Sequence, residues 1–312
     1  MRISLIIPVR DEQASISALF ESIMSQTRLP DEVVFVDGGS RDDTVSMLKQ
    51  IAASHRFVRV VTSDDATPGK GRNLGTDAAT NDWIAYTDAG IVLERDWLEK
   101  LIEVCQRFPE TEIVYGNYDP VVDTWFERLA CVSYCPPRKP DSIRGRSVVS
   151  MLLRKSVWEK VGGFPDLRAA EDLVFMERIS ESGFVSHEAP DASVNWHLRP
   201  DFSSTFEKFE LYSQKNALIG RTHDWHRGIA RQYLLLFPFI LLGLIHSYLW
   251  LIAVPVWLVL RAVCRWIAHR HQFGPSLIIN PLNLIGLVFL IVLIDAATFT
   301  GWARAAVEKG KV

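Results

Sequence analysis

From Tyr233 to Leu260 the chain reads YLLLFPFILLGLIHSYLWLIAVPVWLVL without one formal charge. A helix crosses a bilayer with roughly 20 apolar residues, and in lipid the backbone must satisfy its own hydrogen bonds. A second run, LIINPLNLIGLVFLIVLIDAATFTGW at 277–302, carries a single acid, Asp295. Residues 233–312 therefore read as a membrane region with about two hydrophobic segments, 233–260 and 277–302. The stretch 206–232 interleaves aromatic and basic residues, as expected of an amphipathic linker at the bilayer interface. Basic residues flank every apolar run: Arg221, Arg227 and Arg231, then Arg261, Arg265 and Arg270, then Arg304, Lys309 and Lys311. The excess of positive charge that normally marks the cytoplasmic side does not choose an orientation. A two-span hairpin leaves the basic loop 261–276 outside. A re-entrant first segment, broken near Pro238, His246 or Pro255, keeps it inside.

Residues 1–205 have a different grain. ISLIIPV at 3–9 is a short apolar run ended by proline, suited to a buried parallel strand. SISALFESIMSQ at 15–26 has helical spacing, and EVVFVDGGS at 32–40 returns to a strand. SMLKQIAAS is helical, while FVRVVTS at 57–63 and WIAYTDAG at 83–90 are further strands. Strands alternating with helices predict an α/β domain with a parallel sheet covered on both faces. The opening MRISLIIPVRDE lacks the pattern of a signal peptide, which predicts a cytosolic catalytic domain on an inner or plasma membrane. A net charge of −3 gives nucleic acid little to hold, and the four cysteines have no zinc-ligand spacing.

Ligands of open α/β sheets bind at the carboxyl ends of the strands. Four segments lie there: PVRDE, DGGSRDDT, TPGKGRNLG just before the helix that leads to the fourth strand, and TDAG. The glycines at 69, 71 and 75 do not fit the dinucleotide fingerprint, and the segment lacks the Gly-Lys-Ser/Thr of a phosphate-binding P-loop.

As a set, IIPVRDE, VVFVDGGSRDDT, GKGRNLG, TDAG and VGGFPDLRAAEDLVFMERI resemble the motifs of the family 2 glycosyltransferases across roughly residues 1–200. These are inverting enzymes of the GT-A fold that move a sugar from a nucleoside diphosphate donor. The resemblance implies that Pro8, Arg10 and Glu12 line the nucleoside pocket and that Asp37, beside Gly38, meets the base, most often uracil. It implies that Arg72, with Lys70, reaches the base or diphosphate, that Asp88 stands at a divalent metal, Mg2+ or Mn2+, and that Asp172 is the catalytic base with Glu171 as its rival. Gly90 replaces the second acid of the family's Asp-x-Asp, and variants ending in DAG resemble a recurrent subgroup.

A hard cation keeps several waters and tolerates one or two protein carboxylates beside phosphate oxygens. Asp88 therefore needs little help, and His197 in VNWHLRP is the candidate to supply it, with Arg199 adding positive charge. Glu94 and Asp96 open a helix, where acids suit the dipole. The Pro- and Arg-rich segment 119–147 reads as a long loop facing the acceptor, with Arg138, Lys139, Arg144 and Arg146 available to an anionic lipid phosphate. The expected function is sugar transfer from a nucleotide-sugar donor to a lipid-linked or glycan acceptor. The alternatives are a non-catalytic sugar-nucleotide-binding scaffold and a nucleotidyltransferase.

Overall fold

The computed structural model describes residues 1–309 except 137, 139–141, 224, 225 and 271. Two compact units divide the chain: Met1–Asp119 with Arg138–His197, and Pro120–Pro137 with Leu198–Val312. The expected boundary near residue 205 thus falls at 197, and the segment 125–134 is packed with the carboxyl-terminal helices.

The first unit opens with β1 (Ile3–Val9), α1 (Ile16–Met24), β2 (Glu32–Asp37), α2 (Thr44–Ser54) and β3 (Val58–Thr62). Next come α3 (Pro68–Ala78), β4 (Trp83–Tyr86), β5 (Ile91–Leu93), α4 (Trp97–Arg107) and β6 (Ile113–Val121). The helix α5 (Trp125–Tyr134) belongs to the second unit. The sheet unit resumes with β7 (Met151–Arg154), α6 (Lys155–Val161), α7 (Glu171–Glu181) and β8 (Ser186–His197). Eight strands run in the order β3-β2-β1-β4-β7-β6-β8-β5.

The first four strands pair in parallel, as their continuous apolar runs predict. Beyond β4 the expectation of a parallel sheet fails: β7 is antiparallel to both β4 and β6, and β5 is antiparallel to β8. Ile3, Leu5, Ile7, Val33 and Phe35 face one apolar layer, and Ile6, Val34 and Val36 face the other. A buried parallel sheet requires this burial on both faces.

The segment GKGRNLG, read as a loop leading into a helix, is itself helix. Thr67 caps α3 by accepting from the Lys70 N–H at 3.2 Å, and Pro68 takes the first turn, where its missing donor costs nothing. Its glycines serve close packing: a Cβ on Gly75 would stand 2.4 Å from Ile6 Cγ2, and one on Gly69 2.2 Å from the Pro165 carbonyl.

In the second unit, the supposed loop at 119–147 contains α5. Its start is a reciprocal cap in which Thr124 Oγ1 accepts from the Glu127 N–H at 3.1 Å and the Glu127 carboxylate accepts from the Thr124 N–H at 2.9 Å. There follow α8 (Phe202–Leu218), α9 (His226–Ile245), a 3-10 turn at Tyr248–Ile252, α10 (Ala253–Ala268), α11 (Ser276–Ile279) and α12 (Pro281–Lys309). The first apolar run breaks at His246–Ser247, one of the three break points the sequence suggests. Three helical stretches, His226–Ile245, Tyr248–Ala268 and Pro281–Lys309, are long and apolar enough to cross a membrane. Gly301 lets α8 approach α12 closely, since a Cβ there would stand 2.2 Å from the Glu210 carbonyl.

Candidate active site

Arg72 is the hub of the carboxyl edge of the sheet. It leaves the inner face of α3, only 3% exposed, and its two terminal nitrogens hold different acids. Nη1 donates to Glu171 Oε1 at 2.8 Å, and Nη2 donates to Asp88 Oδ1 at 2.5 Å. The guanidinium also lies 5.4 Å from the centre of the Phe164 ring. Burial works against its charge, but Asp88 and Glu171 outweigh that and keep it protonated. Its Nε is buried with no hydrogen-bond partner among the described residues. Such an atom is costly unless a ligand satisfies it.

Glu171 and Asp172 form the first turn of α7, which begins after Ala170 in a left-handed conformation (φ 66°). A non-glycine residue held in that region stores strain of about 1–3 kcal/mol, a cost found at sites whose geometry is over-determined. Burial raises the pKa of Glu171, with the Arg72 ion pair opposing. Burial likewise raises that of Asp172, against the field of Arg72, and Asp88 adds to the rise. Asp172 accepts from the Leu173 N–H at 2.8 Å. Its carboxylate is not one of those gripped by the guanidinium, which distinguishes it from Glu171.

The loop before α7 is held by Asn73, a residue the sequence reading passed over. Its side chain donates to the Phe164 carbonyl at 2.8 Å and accepts from Phe164 N–H and Trp158 Nε1, both at 2.9 Å. Gly162 and Gly163 are both left-handed, at φ 77° and 67°, and a Cβ on Gly163 would stand 2.7 Å from Asn73 Oδ1. The signal available was an amide inside a helix that has little apolar surface of its own.

At the end of β2, Asp37 is buried and accepts from the Gly39 N–H at 3.0 Å and the Ser40 N–H at 3.2 Å. Gly38 lies where a Cβ would be 2.7 Å from the Ala66 carbonyl, so an aspartate there has no room without backbone movement. Pro8, the penultimate residue of β1, packs against Gly71, and Arg10 pairs with exposed Asp65 at 3.2 Å. Lys70 is exposed.

Gly90 has φ +75°, and a Cβ added to it would lie 3.6 Å from Glu12 Oε2. The position that lacks the second acid therefore has glycine for a backbone reason, and a carboxylate from the first strand-end already stands beside it. Continuing the antiparallel register in which Ile91 of β5 pairs with Trp196 of β8 puts His197, exposed, opposite Gly90. Among the described residues no three His, Cys, Asp or Glu side chains gather as a metal site. A hard cation at this edge would be held largely by phosphate oxygens of the donor, with few protein carboxylates.

Arg138 and Arg144 are drawn inward. Arg138 Nε donates to Asp119 Oδ2 at 3.0 Å, and Arg144 donates to the Tyr118 carbonyl at 3.0 Å with its guanidinium over the Tyr118 ring. Arg146 covers the Tyr115 ring at 5.2 Å. Lys139 lies outside the described residues. Arg199 is exposed and falls in the second unit.

Residues 4–161 match the family described as Glycosyl transferase family 2. The chain belongs to that family. Among its curated relatives, the glycosyltransferase AglE of Haloferax volcanii is 27% identical over 216 residues, which are 66% of this chain and 70% of the relative. An uncharacterised glycosyltransferase of Haemophilus influenzae is 24% identical over 219 residues, 65% of this chain and 71% of the relative. Among solved structures, the Pyrobaculum calidifontis mannosyltransferase PcManGT, in complex with GDP-Man and Mn2+, superposes with a TM-score of 0.58 at 17% identity, covering 97% of this chain and 88% of that one. TarS of S. aureus (residues 1–349) with UDP gives 0.52 at 16% identity, covering 99% and 92%. These likenesses establish the GT-A fold. With the family match and the curated relatives, they make this glycosyltransferase an enzyme of a group whose structural neighbours bind nucleotide-sugar donors.

Proposed function

We propose that this glycosyltransferase is a membrane-associated inverting enzyme whose donor is a nucleoside diphosphate sugar, a UDP-sugar by its Asp37 site, and whose acceptor is a lipid-linked or cell-envelope glycan. The observation that carries the reading is the Arg72 cluster, in which one buried cation gathers Asp88 and Glu171 beside Asp172. Arg72, with an unsatisfied Nε, suits the anionic diphosphate. In transfer, the acceptor oxygen attacks the anomeric carbon as the bond to the diphosphate breaks, and the hydroxyl proton passes to Asp172 Oδ. The nucleoside diphosphate departs with the bonding electrons, and Arg72 and Lys70 meet its growing charge. Glu171 fixes the guanidinium. Asp88 and His197 would hold a Mg2+ or Mn2+, which when bound would supply Lewis-acid stabilisation of the departing nucleoside diphosphate. The complex of PcManGT with GDP-Man and Mn2+ supports that cofactor. The apolar carboxyl-terminal helices support a lipid-linked acceptor reached from the cytoplasmic face of an inner or plasma membrane.

The test is a panel of nucleotide sugars given to the purified full chain, with and without membrane lipid extract, reading nucleoside diphosphate release. One donor should turn over, and turnover should be lost in Asp172→Ala and Asp88→Ala. Unchanged turnover in both variants, or release of inorganic diphosphate instead, overturns the reading.

A further inference from the structure

Between residues 225 and 294 the chain carries Arg227, Arg231, Arg261, Arg265 and Arg270 and no acid, and Asp295 is the first carboxylate to follow. Folding gives that acid to one of them. Asp295 of α12 accepts from both terminal nitrogens of Arg261, at 2.6 and 3.2 Å, and from the Tyr233 hydroxyl at 2.8 Å. Both of its oxygens are engaged and its side chain is 3% exposed. Arg227, Arg231, Arg265 and Arg270 are left without a carboxylate partner among the described residues.

The same tie gathers these four. Tyr233 opens the apolar stretch of α9 and Arg261 closes that of α10, so Asp295 fixes the two ends at one level. Arg231 and Arg227 precede Tyr233 by less than two helical turns, and Arg265 follows Arg261 by about one, which places all three within about 9 Å of the tie along the helix axes. Trp266 Nε1 donates to the Phe273 and Gly274 carbonyls, at 3.2 and 3.3 Å, and so turns the chain that bears Arg270 back toward the end of α10.

Two of the four stand where a lone cation is unfavourable. Arg265 is half-buried and close enough to Arg261 to feel its like charge. Arg227 lies in the first turn of α9, at the positive end of the helix dipole, with no acid in that turn to offset it. An anion seated among them relieves both costs. The surroundings say which kind of anion. Leu234 and Leu235 are exposed just beyond Arg231, as is Ile267 beside Trp266, so the cations rim an apolar surface.

The geometry points to a binding site for the phosphate of an anionic phospholipid at the paired ends of α9 and α10, with Arg265 as its central ligand and Arg227, Arg231 and Arg270 around it. Guanidinium groups suit phosphate oxygens, which they meet with two N–H donors at once. Several cations bordering apolar helices are the usual recognition of an anionic headgroup. Arg138 and Arg144, the residues the sequence offers to a lipid phosphate, are by contrast already taken by Asp119 and by the Tyr118 carbonyl and ring. The cluster lies on one side of a bilayer whether α9 and α10 cross it or turn back within it, so the site needs neither topology.

The experiment uses the full chain purified in a neutral detergent and titrated with phosphatidylglycerol or phosphatidylcholine, with bound lipid read by native mass spectrometry. Phosphatidylglycerol should bind about tenfold tighter than the zwitterionic lipid. Arg265→Gln should weaken that binding by about tenfold, and Arg227→Gln and Arg231→Gln by about fivefold each. Arg56→Gln, which removes an exposed charge from the first unit, should leave it unchanged. The Arg227 and Arg231 side chains are exposed, so their variants decide the matter if Arg265→Gln accumulates poorly. Equal binding of the two lipids, or a loss in Arg56→Gln equal to that in the cluster variants, overturns the inference. Displacement of phosphatidylglycerol by an equal concentration of inorganic phosphate also overturns it, since the site would then serve a soluble anion. Sugar transfer is not read, so failure here leaves the proposed reaction standing.

Discussion

Asp172 and Glu171 are neighbours with unequal surroundings, and the difference assigns their work. Glu171 is buried and locked to Arg72 at 2.8 Å, whereas Asp172 is half-buried beside the guanidinium without being gripped by it. A carboxylate acting as base must be deprotonated, and burial holds the Asp172 pKa above the ordinary range. The acid limb of a kcat/KM–pH profile should therefore lie above the pH near 3.9 where a free aspartate titrates. Since Arg72 lowers that pKa, Arg72→Gln should move the limb further up in pH in addition to weakening donor binding. Asp172→Asn should reduce kcat by about 10²–10⁴-fold while the nucleoside diphosphate Kd, measured by calorimetry, changes little. Gly90 belongs to the same scale. With φ +75°, Gly90→Ala should lower stability by about 1–2 kcal/mol in denaturant titration, and Gly90→Asp should not raise turnover with Mn2+. The glycine in TDAG was plain in the sequence, but its reason was not: φ and the approach of Glu12 are properties of the folded chain.

At the scale of elements, α3 shows how far local pattern carries. Its glycines suggested a loop because glycine weakens an isolated helix by about 1 kcal/mol each. Packing on β1 and β2 reverses that preference: Gly75→Ala, which would stabilise an exposed helix, should here cost about 1–3 kcal/mol by crowding Ile6 and Val36. Thermal unfolding of the variant checks the sign. The helix α5 was legible in principle, since Thr124 and Glu127 are spaced as a reciprocal cap, but the prolines and arginines around it suggested a loop. Thr124→Ala should cost about 1 kcal/mol. Strands β1, β2 and β4, by contrast, lie where their apolar runs put them, because a strand buried on both faces leaves its mark in consecutive residues.

At the scale of the molecule, the Arg261–Asp295–Tyr233 cluster joins three helices far apart in sequence. Breaking a buried pair leaves an unpaired charge. Asp295→Ala should therefore destabilise the detergent-solubilised protein by about 3–5 kcal/mol, and the double change Arg261→Leu with Asp295→Leu should be distinctly milder, as read by thermal aggregation. The residues alone determined that the chain has an α/β sugar-transferase domain and an apolar carboxyl-terminal region, since both follow from hydropathy period and from motifs contiguous in the chain. Tertiary structure alone decided that β5, β7 and β8 run antiparallel, that Arg72 meets Asp88 and Glu171, and that residues 125–134 pack with the helices of the second unit. Each of these joins residues distant along the sequence, and such contacts are chosen by the packing of the whole rather than by local spacing.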